Sequence, residues 1–385
     1  MATAVSLGLG RFSYALLLPP MRADLGWSYL TAGAMNTANA AGYLLGALVL
    51  PRLLARFEAR RVLLAGSAGT ALLLAAHGLV LDDAALLLLR TLAGVASAAT
   101  FVSGALLAAR LASDASLQAA AGASRASAGL VLGIYYGGTG VGIIASALLV
   151  PPMVARPVLH AWQSAWFALA VAALAATALA ASMTRGLEAS RNASAARRAF
   201  RWAPFACALA AYLMFGLGYI GYMTFVITLL RELQLDEAQV VGFYVVLGLC
   251  VIASSWLWAG LLQHFRGGES LALLNALLAL ATLLPVLSAH PLAVFGSGAL
   301  FGAVFLSVVA STTALVRHNL PAAAWAGGIG AFTIVFAVGQ IVGPSLVGWV
   351  ADGAGGLARG FVVSAAVLAL GALLAWRQRP LSATM

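Results

Sequence analysis

The sequence predicts an all-α integral membrane protein with twelve transmembrane helices in two pseudo-symmetric six-helix bundles. Three observations lead to this prediction: an apolar composition, uncharged segments long enough to span a bilayer, and a weak internal repeat. Hydrophobic residues make up 63% of the 385 residues and charged residues only 8%, whereas soluble domains carry roughly 25% charged residues. A soluble fold of this size could not bury so much apolar surface, so lipid must surround most of the chain.

The uncharged segments recur along the whole chain. A membrane-spanning helix needs roughly 20 mainly apolar residues, and the charged residues here collect between segments of about that length. The predicted spans lie near residues 3–20, 30–50, 62–81, 84–109, 126–150, 161–182, 203–230, 238–262, 270–289, 292–316, 322–350 and 360–376. The longest polar stretch, Thr184–Arg201, follows the sixth span. We therefore predict an N-terminal bundle over 1–183, a linker over 184–202 and a C-terminal bundle over 203–385.

The arginines indicate the orientation of these spans. All 21 basic residues are Arg; Arg11 and Arg90 lie within spans, and four lie on one predicted side, leaving fifteen on the side of the termini. The four are Arg22, Arg156, Arg231 and Arg359. Positive charge favours the cytoplasmic side, so we predict a multi-pass protein of the bacterial inner membrane with both termini and the linker in the cytoplasm. Nucleic acid is not an expected partner, because no soluble module carries a basic face.

The two halves of the sequence also resemble each other, as expected of transporters built from repeats. Four of seven residues are identical between Gly8–Tyr14 in the first span and Gly216–Tyr222 in the seventh. A second match joins the fifth and eleventh spans, where Gly129, Gly138 and Gly142 correspond to Gly330, Gly339 and Gly343. The order and similar offsets of the two matches indicate a duplication.

Arg11 and Arg90 are the strongest functional candidates. An ionised Arg at the centre of a span costs about 2.5–3.5 kcal/mol, and all eleven acidic residues lie in loops or at span ends. An interior with unbalanced positive charge should attract an anion, which Arg binds through paired hydrogen bonds. We therefore predict a small anionic substrate with Arg11 as its first ligand. The alternative is that Arg11 bonds backbone carbonyls at a helix break and never contacts substrate.

Other polar residues in the spans extend this candidate site. Asn36 and Asn39 share one face of the second span, and Gln340 in the eleventh occupies the position that matches Thr139 in the fifth. Hydrogen bonds between helices or core packing would explain these residues as well. For Arg90, with Gly94 one turn later, we predict a structural or coupling role. The predicted substrate-binding residues are Arg11, Tyr14, Asn36, Asn39, Tyr135, Thr139, Tyr219, Tyr222 and Gln340.

Other function classes find little support in the sequence. Cys207 and Cys250 lack metal-ligand spacing, and the five histidines are scattered over both predicted sides. No glycine-rich turn precedes a Lys-Ser/Thr pair, so a phosphate-binding loop is not predicted. We expect no metal, no cofactor and no enzymatic activity, and membrane lipid and a small molecule as the partners of a monomer.

Several motifs together resemble the major facilitator superfamily over the whole chain. They are the basic loop Pro51–Arg61 between the second and third spans, Arg90-x-x-x-Gly94 in the fourth, and the glycine-rich fifth span. Gly10–Tyr14, Leu18–Met21 and Gly218–Ile220 further resemble the bacterial YbfB/YjiJ-like group. The loop departs from the superfamily pattern at Ala55, where an Asp is usual, and at Glu58, where a Gly is usual.

The resemblance implies a secondary active transporter that works by alternating access. In such proteins two bundles rock about a central site and expose it to each side in turn. Combined with the intramembrane arginines, this implies transport of a small organic anion. An exporter of hydrophobic or cationic compounds and a transporter-like sensor are the alternatives.

Overall fold

A computed structural model describes residues 1–120, 128–186 and 200–381. Within these ranges the chain is helical and has no β-strand. Residues 187–199, which form most of the predicted linker, lie outside the described ranges. The all-helical architecture confirms the predicted fold class.

Eleven helices in the described part of the chain are long and apolar enough to cross a membrane. The first predicted span precedes them as a π-helix, Ala4–Phe12, followed by α1, Tyr14–Leu25. The later helices are α2 Tyr29–Arg56, α3 Ala59–His77, α4 Asp83–Ala120, α5 Ala128–Val154, α6 Trp162–Met183, α7 Ala206–Glu232, α8 Glu237–Leu257, α9 Ala259–His264, α10 Glu269–Leu287, α11 Pro291–Asn319, α12 Ala322–Ala351 and α13 Gly356–Trp376.

The eighth predicted span, 238–262, is not one continuous helix. α8 ends at Leu257, and the short α9 begins at Ala259. At the break, Trp258 leaves helical geometry and its indole N–H donates to the Ala303 carbonyl at 2.7 Å. The sequence gives no sign of this break, because Trp258 lies in an uninterrupted apolar run.

The chain divides into two compact units. Unit 1 consists of Met1–Gly26, Ala38–Asn192 and Glu237–Ser255. Unit 2 consists of Trp27–Thr37, Ala193–Asp236 and Trp256–Met385. The helices α2 and α8 therefore each contribute residues to both units. The predicted boundaries of the two bundles stay a prediction.

The glycines of the internal repeat lie where helices cross. In unit 1, a Cβ added at Gly8 of the π-helix would lie 2.5 Å from the Gly142 Cα of α5. In unit 2, a Cβ added at Gly216 of α7 would lie 3.2 Å from the Gly339 Cα of α12. The two crossings use matching helices but differ by one turn, since the counterpart of Gly339 is Gly138. Close backbone approach thus explains why both halves carry these glycines.

A second close crossing in unit 1 joins α2 and α4. A Cβ added at Gly42 would collide with the Thr91 carbonyl, and one at Gly94 would lie 2.7 Å from the Tyr43 amide nitrogen. Neither position has space for a side chain. Gly94 therefore allows the backbones of the two helices to touch, which supports the structural role predicted for it.

At one end of unit 1, Asp24 joins α1 to the start of α6. It lies beyond the predicted span 3–20, and its carboxylate accepts hydrogen bonds from His160 Nδ1 and Trp162 Nε1, each at 2.5 Å. Partial burial raises the pKa of the Asp24 carboxyl, but these hydrogen bonds outweigh burial and leave the pKa below its ordinary value of 3.8. The ionised form is therefore favoured by the folded protein.

We expect Asp24→Asn to lower the melting temperature by a few degrees at pH 7. A carboxyl whose pKa is depressed on folding contributes stability above its unfolded pKa and loses that contribution as pH falls through the folded pKa. The difference between wild type and variant should therefore shrink as pH falls below 3.8, the ordinary pKa, and disappear below the lower pKa of the folded protein. Melting curves of purified protein at pH 7 and pH 3 would check this, and an equal difference at both pH values would contradict it.

In unit 2, Asp352 caps the beginning of α2. Its carboxylate accepts hydrogen bonds from the Tyr29 and Leu30 amides at 2.7 and 2.9 Å. These amides belong to the first turn of α2, where the N–H groups have no partner within the helix. Asp352, which follows α12, therefore adds to the local cap at Ser28, whose Oγ accepts a hydrogen bond from the Thr31 amide at 3.0 Å.

We expect Asp352→Ala to destabilise the folded protein by about 0.5–2 kcal/mol, the usual effect of losing an N-cap acceptor. Asp352→Asn keeps one side-chain oxygen, so its effect should be intermediate. Thermal unfolding of the three proteins would give this order of stability. Equal stability of the Ala and Asn variants would show that the carboxylate oxygens do not cap α2.

Candidate functional site

The π-helix at the start of unit 1 has backbone carbonyls that other side chains bind. The Ser13 amide donates to the Gly8 carbonyl five residues earlier, at 3.0 Å, in the wide hydrogen-bonding pattern that is rare and often found at functional sites. Three donors from two helices, α4 and α8, approach the segment: Ser97 Oγ to Ser6 O at 2.7 Å, Arg90 Nη1 to Gly10 O at 3.4 Å and Tyr244 Oη to Phe12 O at 2.6 Å. The first span is therefore held in an unusual geometry by its neighbours.

Arg11 lies on this π-helix and is 4% exposed. Its Nε and Nη2 atoms are buried without a hydrogen-bond partner among the described residues, and none of the ion pairs found there includes Arg11. A buried donor without an acceptor costs about 1–3 kcal/mol, and more if it is charged. The guanidinium group thus has unused capacity to bind an acceptor that the described protein does not provide.

The sequence left open whether Arg11 bonds a backbone carbonyl at a helix break. In the structure Arg90 makes such a bond. It is Arg90 that donates to a carbonyl of the π-helix, Gly10 O. Its guanidinium carbon also lies 4.5 Å from the centre of the Tyr14 ring, a cation–π contact. Arg90 and Tyr14 are each 1% exposed, so both belong to the interior of unit 1.

Arg11 and Arg90 place two positive charges in the buried interior of unit 1. Repulsion between positive charges is strong in a medium of low dielectric constant. An anion bound at Arg11 would relieve it. The interior of unit 1 therefore favours negative charge beyond the preference of a single Arg.

Asn36 and Asn39 bond to different helices. Asn39 Nδ2 donates to the Arg90 carbonyl of α4 at 3.1 Å, while its Oδ1 has no partner among the described residues. Asn36 Nδ2 donates to Thr224 Oγ1 of α7 at 2.7 Å. Asn39 therefore belongs to the surroundings of Arg90 in unit 1, and Asn36 to unit 2.

The α5 residues lie beside the π-helix. Thr139 is fully buried and its Oγ1 atom has no partner among the described residues. Its carbonyl oxygen would lie 2.9 Å from a Cβ at Gly8. The Tyr135 carbonyl accepts a hydrogen bond from Thr3 Oγ1 at 2.6 Å, and the Tyr135 hydroxyl donates to the Phe101 carbonyl. Thr139 therefore adds an unused hydroxyl near the helix that carries Arg11.

Four rings from α2, α4 and α5 form an aromatic cluster in unit 1. Its members are Tyr43, Phe101, Tyr135 and Tyr136. The ring centres of neighbouring members lie 5.3–6.3 Å apart, and every member is only partly buried. The tyrosines are visible in the sequence, but nothing there distinguishes Phe101 from an ordinary apolar residue.

In unit 2, Tyr219 and Gln340 form a pair. The Tyr219 hydroxyl donates to Gln340 Oε1 at 2.9 Å, and its ring stacks on Phe215 with centres 4.7 Å apart. Because Gln340 uses its oxygen here, its Nε2 group is left as a donor. Thr139 and Gln340 were predicted at matching positions of the repeat. Of these two, Gln340 can therefore donate N–H groups to a ligand.

Tyr222 has a different environment in the same unit. It is fully buried, hydrogen-bonds to Ser297 Oγ at 2.7 Å and stacks on Phe301 with ring centres 4.0 Å apart. Ser297 Oγ in turn donates to the Ala281 carbonyl at 2.7 Å. These contacts join α7 to α10 and α11, so the polar and apolar surfaces of Tyr222 are both used in packing.

The structure thus brings together part of the predicted site in each unit. In unit 1, Arg11 lies on the π-helix, Arg90 bonds to it, and Tyr14 and Asn39 contact Arg90. In unit 2, Tyr219 contacts Gln340. The π-helix itself was not predicted; the pair Gly8 and Gly10 was the only signal of an irregular backbone. The described residues contain no group of three or more His, Cys, Asp or Glu side chains able to hold a metal ion.

Comparisons with known proteins agree with this architecture. A family profile described as "Uncharacterised MFS-type transporter YbfB" matches residues 3–376. A search of curated proteins gave no match.

Solved structures share the fold at low sequence identity. A mutant of the nucleoside transporter NupG is 14% identical, with a TM-score of 0.72, over 97% of this chain and 96% of that one. A second NupG structure is 15% identical, with a TM-score of 0.68, over 98% and 100%. A bacterial homologue of the human lysosomal transporter Spinster, inward-facing and unoccupied, is 13% identical, with a TM-score of 0.68, over 97% and 95%.

At such identities the structural matches establish the fold alone. The family profile covers nearly the whole described length and confirms the resemblance found in the sequence. The chain therefore belongs to the family of the MFS-type transporter YbfB, within the major facilitator superfamily.

Proposed function

We propose that this transporter moves a small organic anion across the bacterial inner membrane by alternating access. It works as a secondary active transporter and as a monomer, with both termini in the cytoplasm. The observation that supports the anionic substrate is Arg11, a buried guanidinium whose Nε and Nη2 atoms have no partner among the described residues. The excess of arginines on one side supports the orientation.

The chemistry of the guanidinium group favours a carboxylate or phosphate over other ligands. Its N–H groups form a planar fork that matches two oxygens of an anion. Arg90 adds a second positive charge but already contacts Gly10 O and the Tyr14 ring. In this proposal Arg11 binds the substrate, while Arg90 positions the π-helix and attracts negative charge.

Neutral polar groups in each unit are the other proposed ligands. Asn39, Tyr135 and Thr139 line the surroundings of the π-helix in unit 1, and Asn36, Tyr219, Tyr222 and Gln340 belong to unit 2. Of these, Thr139 Oγ1 and Asn39 Oδ1 have no partner among the described residues, so they are the stronger candidates for contact with a substrate or its water. Tyr14 and Tyr222 act by holding their neighbours in place.

A ligand screen would test the proposed substrate class. Thermal unfolding of the purified transporter would be measured with carboxylates, phosphates and hydrophobic cations, since a ligand of the folded state raises the melting temperature by mass action. Stabilising anions would then be tested for counterflow in proteoliposomes. We expect stabilisation and flux with anions. Stabilisation by cations alone would favour the cation exporter, and anion binding without flux would favour a sensor.

A further inference from the structure

The aromatic cluster of unit 1 presents its exposed surface away from the lipid. On α5 the strongly exposed residues are Ile134, Val141 and Leu148, at 62%, 44% and 58%. They recur every seven residues and so form one stripe along the helix, as expected of a lipid-facing surface. Tyr136 follows Ile134 by two residues, about 200° around the helix. Its partial exposure is therefore not explained by contact with lipid.

The other helices of the cluster show the same pattern. On α2, Tyr43 precedes the exposed Leu45 by two residues, and on α4, Phe101 follows the exposed Leu92 by nine. Nine residues make about two and a half helical turns, so Phe101 and Leu92 point in opposite directions. Each of the three rings is thus partly exposed on a side of its helix that points away from the exposed apolar residues of that helix.

The cluster lies within reach of a ligand held by Arg11. Thr3 Oγ1 donates to the Tyr135 carbonyl, and Gly8 contacts α5 at Thr139 and Gly142, so the π-helix and α5 run in parallel. Arg11 follows Thr3 by eight residues, which is at most about 12 Å along the axis at 1.5 Å per residue. The long Arg side chain covers part of that distance. One molecule of modest size could therefore contact both.

A hydroxyl group without a described partner lies on α5 between Tyr135 and Gly142. It is Thr139 Oγ1, which is fully buried. A ligand that extends from Arg11 to the rings would pass this group. The hydroxyl could bind its polar atoms or a water molecule at its side.

Resting on the proposed function, we infer that the transported anion is aromatic. Its planar ring packs against Tyr43, Phe101 and Tyr136, while its carboxylate or phosphate binds Arg11. Aromatic rings prefer offset-stacked or edge-to-face contact with one another, and the cluster offers rings in several orientations, with interplanar angles from 48° to 75°. A saturated ring of equal charge would bind the same surface without this preference.

A matched pair of ligands tests the inference. Affinities of the full-length transporter for 3-phenylpropionate and 3-cyclohexylpropionate would be measured in detergent by calorimetry. We expect the aromatic acid to bind about two- to tenfold more tightly, the range expected of one aromatic pair. Phe101→Leu should reduce the ratio of the two affinities, because one of the three aromatic rings is lost. Phe167→Leu is the control, since Phe167 is an exposed residue of α6.

Tyr136→Phe provides a second variant that keeps the ring. It should preserve the preference for the aromatic acid and weaken both ligands equally if the hydroxyl binds a shared polar group. Equal wild-type affinities for the two acids, a preference that Phe101→Leu leaves unchanged, or tighter binding of phenethylammonium would overturn the inference. Failure of both acids to bind, or binding that is insensitive to Arg11→Gln, would instead contradict the proposed anion site.

Discussion

Replacing Arg11 with Gln is expected to reduce anion transport on the order of 100-fold. The variant keeps a polar side chain of similar shape but loses the charge and the paired donors of the guanidinium group. Hydrogen bonds to charged groups contribute about 1.5–3 kcal/mol each, and every 1.4 kcal/mol corresponds to a tenfold change in affinity. Initial rates of counterflow and binding constants, normalised to the amount of reconstituted protein, would measure the loss.

Two controls separate substrate binding from stability. Arg11→Lys retains the charge without the planar fork, so we expect partial activity if paired hydrogen bonding matters. Arg61→Gln removes an exposed Arg whose side chain forms an ion pair with Glu58 three residues away, and it should leave transport unchanged. Because the wild-type guanidinium is buried without described partners, Arg11→Gln should not lower the melting temperature. Full transport by this variant would exclude Arg11 from the site.

The second large effect is expected from Gly42→Val. A Cβ at this position would overlap the Thr91 carbonyl, which belongs to the backbone of α4 and cannot move as a side chain can. Overpacking usually costs about 1–3 kcal/mol, but a clash with a packed backbone belongs to the exceptional class above about 4 kcal/mol. We expect little folded protein by size-exclusion chromatography and a sharp loss of thermal stability in what remains.

Gly69→Ala is the matched control for this substitution. A Cβ at Gly69 would lie 3.7 Å from the Ala96 Cβ, which is ordinary contact. Removing a mid-helix glycine should then stabilise the protein by about 0.5–1 kcal/mol. Opposite signs for the two substitutions would support close contact between α2 and α4. A well-folded Gly42→Val variant would show that the two helices do not touch at this position.

The sequence predicted the number and order of the spans because uncharged length determines what can cross a bilayer. It also marked the glycines of the repeat, such as Gly8 and Gly216, although their purpose became clear only from the helix crossings. The break after Leu257 and the π-helix escaped prediction. Both depend on hydrogen bonds between residues far apart in the chain, such as Trp258 to Ala303 and Tyr244 to Phe12.

The candidate site was also predictable only in part. Its charged residues can be identified from the sequence, whereas their contacts depend on how the helices pack. Intramembrane charge identified Arg11 and Arg90 because an ionised group in a span is costly. Sequence spacing could not decide which of the two would bind a carbonyl, since that depends on how α4 meets the π-helix. The aromatic cluster was only partly visible, because whether Phe101 faces lipid or interior follows from packing rather than residue type.

The π-helix has a consequence for the construction of chimeric transporters. Its carbonyls accept hydrogen bonds from Ser97, Arg90 and Tyr244, which lie on two other helices distant in sequence. Exchanging residues 1–26 for the corresponding segment of a regular α-helical relative would change the positions of the carbonyls that these donors reach, because the two helix types differ in residues per turn. A functional graft would therefore have to transfer the three donor residues together with the segment.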